Sequence, residues 1–520
     1  MNSPLRTALV LLILAATGGC TSISRESHPP DIVVILLDDL GYSDIGYLGS
    51  EIETPGIDNL AANGLTVTNF YVHPRCSPTR ASLLTGRSPH ESGLGFLTTP
   101  ASANPPPGPF QGYLSPDVPM LQELLKASGY HTYMSGKWHL GEKPAYWPDR
   151  RGFDQSFGLI SGASSYYELI TDQPMKRQMA LNGEPWTPPE DGFYMTDAIT
   201  TRALNYLERH EQQHGDEPYF LYLAYTAPHW PLHALEEDIA SYRGKYDAGA
   251  EAVAAGRLAG IAARQFSLPD EVHPWSSQST QAWARHMEVY AAQVTAADRG
   301  IGQLVEQLKT TNRLENTLIL FLSDNGATKE DITRRGLHQP GIPVGERGSY
   351  LSYGADWARV SNTPFHEFKG STHEGGIRSP LILHWPAAIL QASIDQENIV
   401  DVADLMPTLL ALAGTRIPAG VRGQDVSSLI SGRTIERDNP VFREHLGWKA
   451  VRDGRWKAVF DPYQKKWMLY DLQEDPAEVR DIAGQKPEHL AMMVESWQQW
   501  SDEVGTDGFD IGAFMKYYGL

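Results

Sequence analysis

Four apolar runs in this chain stop abruptly on polar residues, and that pattern restricts the fold more than any other feature. "DIVVILL" (31–37) is short, β-branched and unbroken, as in a strand buried on both faces, and it ends in Asp38 and Asp39. "NTLILFLSDNG" has the same design and ends in Ser323, Asp324, Asn325 and Gly326. "GYHTYMSGKWHLG" runs into Lys137 and His139, and "PYFLYLAYTAPHWPLH" into Pro228, His229 and, later, His233. Helical patterns separate the runs: "VPMLQELLKASG", "MTDAITTRALNYLERHEQQHG" and "HMEVYAAQVTAADRGIGQLVEQLKTT". Strands alternating with helices of this length predict an α/β fold, a large, mostly parallel sheet with helices on both faces. In such sheets ligands bind beyond the carboxyl ends of the strands, so the four polar ends predict one shared site.

Asp38 and Asp39 alone resemble a helix cap on a solvated turn. Joined by Asp324 and Asn325 they make a hard, all-oxygen donor set, which suits Ca²⁺ or, as the alternative, Mg²⁺ better than zinc. The formal net charge of -20 argues against a nucleic-acid partner, which needs a basic face. It also means that any anionic substrate must be held by a local cluster of positive charge.

"HPRCSPTRASLLTGR" (73–87) contains Cys76, one of two cysteines in the chain. Ser77 and Pro78 read as an N-cap and a first-turn proline, which places Cys76 at the positive end of a short helix. Arg80 lies four residues on, one helical turn away on the same face. Cysteine-dependent phosphatases space cysteine and arginine by five residues; here only three intervene and one is proline, which counts against a thiolate phosphatase. The plain alternative is a buried structural cysteine, but His73, Arg75, Ser77, Thr79 and Arg80 make the surroundings strongly polar.

"CSPTRASLLTGR" resembles the signature of the sulfatase family: cysteine-x-proline-x-arginine followed by a short helix. "ILLDDLGYSDIGYLG", "GKWHLG", "APHWPLH", "SDNG" and "HEFKGSTHEGGIRSPLILHWP" resemble further sulfatase blocks in the family's order, and "LYDLQEDPAEVRDIA" its closing motif. "YRGKYDAGAEAVAAGRLAGIAA" resembles an insertion of bacterial arylsulfatases. The resemblance implies an alkaline-phosphatase-like fold and hydrolysis of sulfate monoesters. It also implies that Cys76 is oxidised to Cα-formylglycine by a maturation enzyme and acts as the aldehyde hydrate. Asp38, Asp39, Asp324 and Asn325 would hold Ca²⁺, and Arg80 would stabilise the hydrate. Lys137 and Lys369 would bind sulfate, His139 would partner the hydrate's second hydroxyl, and His229 would protonate the leaving oxygen. His73, His233, His373, Ser161 and Ser164 lie close to these motifs and are secondary candidates.

Two other functions fit the same motifs: a phosphomonoester or phosphonate hydrolase of the related superfamily, and an inactive lipoprotein that binds sulfated glycans. The implied substrate is a sulfated carbohydrate or an aryl sulfate. Residues 1–19 read as an export signal, with Arg6 before the apolar run "ALVLLILAA". "GGC" at Cys20 resembles a lipobox, although Thr17 stands where leucine is usual; lipid on Cys20 would be the chain's sole membrane attachment, with plain secretion the alternative. Either way the chain is expected outside the cytoplasm, in the periplasm or at the cell surface. Residues 20–30 read as a tether, 31–432 as the catalytic α/β domain and 433–520 as a smaller α+β subdomain.

Overall fold

The computed structural model describes residues 29–170, 176–275, 283–333 and 336–517. Cys20 and the export signal lie outside them. Among the described residues no helix is long and apolar enough to cross a membrane.

The strands of the main sheet are β1 (Asp31–Asp38), β2 (Leu65–Tyr71), β3 (His131–Gly136), β4 (Gln155–Leu159), β5 (Met179–Leu181), β6 (Glu184–Trp186), β7 (Tyr219–Pro228), β8 (Thr317–Ser323), β9 (Arg378–His384), β10 (Ser393–Asp395) and β11 (Val400–Asp401). Their order is β10-β2-β9-β8-β1-β7-β3-β4-β5-β6, with β11 also paired to β2. The centre, β8-β1-β7-β3, is parallel throughout, and β9 and β5 run antiparallel to their neighbours. The sheet is thus mixed and mostly parallel, as the strand–helix alternation predicts.

β1 shows why its sequence is apolar without alternation. Val33, Ile35 and Leu37 enter the core under the helices Met195–His214 and Ala284–Thr310. Ile32, Val34 and Leu36 enter the opposite core, under Leu121–Ala127 and Leu405–Leu412. Successive side chains of a strand point to opposite faces, so a strand covered on both sides needs apolar residues at every position.

The C-terminal part forms a separate antiparallel sheet, β12 (Val441–His445), β13 (Trp448–Asp453), β14 (Trp456–Asp461) and β15 (Lys466–Asp471), in sequential order. The helix Pro487–Val504 packs Met493 and Trp497 on Val451, Ala458 and Leu469. A buried ionic network joins this sheet to the loop after Lys369. Lys457 on β14 sits 2.7 Å from Glu374 and 2.9 Å from Glu478, and Glu478 binds His373 at 3.0 Å. All four side chains are buried. Lys457→Met would remove the ammonium that Glu374 and Glu478 share, leaving Glu374 to Arg378 at 3.2 Å and Glu478 to His373. Breaking a buried pair in this way costs about 3–5 kcal/mol, to be read as a lower urea midpoint at unchanged slope. The Pro/Gly-rich loop 97–116 is tied to the chain's end by aromatic contacts: Phe110 meets Phe509, and the preceding Phe96 meets Phe509 and Phe514.

Candidate active site

Four adjacent parallel strands end side by side, and their last residues supply most of the site. Neighbouring strands lie about 4.8 Å apart, so Ser323-Asp324-Asn325 at the end of β8, Asp38-Asp39 at the end of β1, His229 after β7 and Lys137 after β3 meet without any long side-chain reach. β1 breaks register between Leu36 and Asp38, and Asp39 takes a left-handed backbone (φ 66°), which turns its side chain into the site. Asp39 N–H donates to Asp324 Oδ1 at 3.2 Å, and Asn325 Nδ2 donates to Asp39 Oδ1 at 2.7 Å. Lys137 Nζ lies 2.6 Å from Asp38 Oδ2, and Lys369 Nζ lies 2.6 Å from Asp39 Oδ1.

The donor chemistry of this cluster fits a hard divalent cation. Asp38 Oδ1, Asp39 Oδ2 and Asn325 Oδ1 are buried and accept no hydrogen bond. Leaving three oxygens so is costly unless something positive meets them. Burial, with Asp324 and Asp39 close by, pushes the Asp38 carboxyl up to about 8 against the pull of Lys137 and Arg80. Lys137, Lys369 and Arg80 each meet one carboxylate, and burial still raises Asp38.

Cys76 opens the helix Cys76–Thr85 and is buried. Its sulfur and carboxylate oxygens of Asp38 and Asp324 lie within 4.8 Å of one another. The helix begins two residues earlier than the Ser-Pro pair suggests: Arg75 is the capping residue, and the Ser77 hydroxyl donates to the His139 carbonyl at 2.9 Å instead of capping. Cys76 is therefore inside the first turn and not ahead of it. Burial pushes its thiol above its ordinary pKa even with Lys137 and Lys369 near, which disfavours a thiolate nucleophile. Arg80 is fully buried beneath the cluster. Its Nε and Nη2 donate to Asp324 Oδ2 at 3.1 and 2.8 Å, and its Nη1 to the Lys137 carbonyl at 2.9 Å.

The two histidines differ. His229 Nδ1 faces the Trp230 carbonyl at 2.6 Å, and its Nε2 points at Asp39 Oδ2 at 3.5 Å. His139 has no hydrogen-bond partner at Nδ1. A Cβ on Gly162 would lie 2.6 Å from the His139 ring, so only glycine lets the ring sit there. Burial and nearby cations, Lys369 and Lys137 for His229 and Lys137 and Arg80 for His139, hold both imidazoles neutral, well below their ordinary range.

A family model described as Sulfatase matches residues 30–415. The chain belongs to the sulfatase family. A second model, described as N-sulphoglucosamine sulphohydrolase, C-terminal, matches residues 367–502 of this sulfatase. It is 34% identical to an uncharacterized sulfatase of Schizosaccharomyces pombe, over 92% of this chain and 95% of that one. It is 33% identical to an arylsulfatase of Klebsiella aerogenes, over 80% and 92% of the two chains. The crystal structure of Ps i-CgsB in complex with k-i-k-neocarrahexaose superposes with a TM-score of 0.71 at 29% identity, covering 95% of this chain and 97% of that one. The protein is a sulfuric ester hydrolase of alkaline-phosphatase-like fold.

The ten residues singled out in the sequence of this sulfatase converge: Asp38, Asp39, Cys76, Arg80, Lys137, His139, His229, Asp324, Asn325 and Lys369. The secondary candidates are engaged elsewhere. His73 binds Ser82, His233 binds the Ser349 carbonyl, and His373 belongs to the Glu478 network. The Ser161 hydroxyl donates to Glu142 and that of Ser164 to the Glu168 carbonyl. Sequence reading missed Glu330, which takes Arg75 at 2.5 Å and the Trp230 indole at 3.1 Å, next to Cys76 and His229. No motif surrounds Glu330, and its partners lie 255 and 100 residues away, so no local signal marks it.

Proposed function

We propose that this sulfatase removes sulfate from sulfated carbohydrates or aryl sulfates by means of a formylglycine at position 76 and a hard divalent cation, outside the cytoplasm. The observation that carries the reading is the gathering of three buried oxygens that accept no hydrogen bond, two ammonium groups and Cys76 at one set of strand ends. Asp38, Asp39, Asp324 and Asn325 would hold Ca²⁺, or Mg²⁺ in its place; the ion when bound adds positive charge opposite the sulfuryl oxygens. Cys76, once oxidised, offers a hydrated aldehyde: one hydroxyl to attack sulfur and a second whose proton is removed to free sulfate.

The chain's own groups do the rest. Lys137 and Lys369 bind the sulfuryl oxygens in a buried setting, where charge stabilisation is strong. Arg80 fixes Asp324 and the Lys137 backbone, so it orders both halves of the site. His139, neutral and open at Nδ1, is suited to take a proton. His229 has Nδ1 committed to a carbonyl, so Nε2 is the atom that would deliver a proton to the leaving oxygen. The substrate's negative charge favours the imidazolium that this requires. The oligosaccharide bound in the Ps i-CgsB structure supports a carbohydrate substrate.

His229→Ala is expected to slow alkyl or sugar sulfates by about 10²–10⁴-fold, the usual scale of general acid catalysis. Activated aryl sulfates, with good leaving groups, should change far less. Equal losses on both classes would remove the acid role. The reading as a whole is tested by offering enzyme of measured formylglycine content a panel of sulfated sugars, aryl sulfates and aryl phosphates. Higher kcat/KM for phosphates than for every sulfate would overturn it.

A further inference from the structure

The cluster His131, His214 and Glu217 lies at the opposite end of the sheet from the active site. His131 is the first residue of β3, whose far end leads into Lys137, about 20 Å away at the rise of an extended strand. His214 is the last residue of the helix Met195–His214, and Glu217 lies in the turn between that helix and β7. His131 Nε2 meets Glu217 Oε2 at 2.6 Å, and the His131 and His214 rings stack with centroids 3.6 Å apart. One ligand atom from each of the three lies within 4.8 Å of the other two.

We propose that His131, His214 and Glu217 form a second metal site, taking a borderline cation of the Zn²⁺ type with water in the fourth position. Two imidazoles and one carboxylate select such a metal over Ca²⁺, which prefers oxygen throughout. The neighbours hold the turn in place. His210 donates or accepts at both ring nitrogens, to the Tyr133 hydroxyl at 3.0 Å and the Glu217 carbonyl at 2.8 Å, so it supports the site without being free to ligate. Arg313 donates to the carbonyls of Gly215 and Glu217 at 2.6 and 3.2 Å, and its charge is met by Glu211 and Asp31. Zinc bonds are about 2.0–2.2 Å long, so the rings must splay and the His131–Glu217 contact must open. The half-buried histidines and the exposed Glu217 leave room for that. With Glu217 exposed, the site opens to solvent, and its place far from the active-site strand ends makes it a staple. It would fasten the helix end and the turn to the start of β3, and metal that binds only the folded chain stabilises it.

The test is a calorimetric titration of the full chain, without an affinity tag and saturated with Ca²⁺, with ZnCl₂. One Zn²⁺ per chain at micromolar affinity is expected. His214→Ala and, separately, the exposed substitution Glu217→Gln should each weaken it at least tenfold and abolish a zinc-dependent rise in melting temperature. Both variants should keep wild-type sulfatase activity. Co²⁺ in place of Zn²⁺ should give the visible absorption of a tetrahedral site in wild type alone. Zinc binding of equal strength in wild type and both variants, or none at 100-fold above micromolar levels (about 0.1 mM), overturns the proposal.

Discussion

Cys76→Ser is expected to form one equivalent of desulfated product and then stop. Serine can attack sulfur once, but the resulting ester carbon bears no second hydroxyl, so no carbonyl can form to expel sulfate. Steady-state turnover should fall by about 10⁴- to 10⁶-fold, the scale of losing a catalytic nucleophile. The stopped enzyme should carry added sulfate on the peptide around residue 76, detected by mass spectrometry. The wild-type peptide should show aldehyde at that position in proportion to specific activity. The structure supplies a physical reason to expect that the native thiol is not the nucleophile: buried beside Asp38 and Asp324, it is pushed above its ordinary pKa in spite of two lysines. Sustained turnover by Cys76→Ser at the wild-type rate would falsify the hydrate mechanism.

Asp324→Ala should be the most damaging change to both stability and activity. Arg80 is fully buried and gives Asp324 two of its three hydrogen bonds. Removing the carboxylate leaves a guanidinium charge in the core, at a cost of about 3–5 kcal/mol. The same carboxylate belongs to the proposed cation site, so activity should vanish even in the fraction that folds. Two measurements separate the effects. Denaturant unfolding reads the first. Chelation of wild type reads the second: activity should fall at least 100-fold, return on adding Ca²⁺ or Mg²⁺, and leave the secondary structure intact. Full activity after exhaustive chelation would rule the cation out of the mechanism.

The polar ends of the apolar runs were legible because strand burial and strand ends are local properties. An unbroken run such as "DIVVILL" can be satisfied only by cover on both faces, and its abrupt stop marks where the sheet ends. The start of the helix Cys76–Thr85 was not legible to the residue. Ser77 has the composition of a cap, but its hydroxyl is taken by the His139 carbonyl, 62 residues away, and the helix begins at Cys76. Glu330 and the Lys457–Glu374–Glu478 network were invisible for the same reason: each rests on a pairing across the fold.

The amino-acid order by itself determined which residue types stand at the ends of which strands, and hence the chemistry that could gather there. Periodicity and the punctuation of apolar runs are written in neighbouring residues. Only the tertiary structure decided that Lys137 would neutralise Asp38, 99 residues away, and Lys369 would neutralise Asp39, 330 residues away. It also decided that three oxygens of Asp38, Asp39 and Asn325 would be buried without a hydrogen bond. Those distances are fixed by the order β8-β1-β7-β3 and by the packing of the C-terminal sheet against the loop after Lys369. Both are global arrangements of the chain, and a local pattern does not encode them.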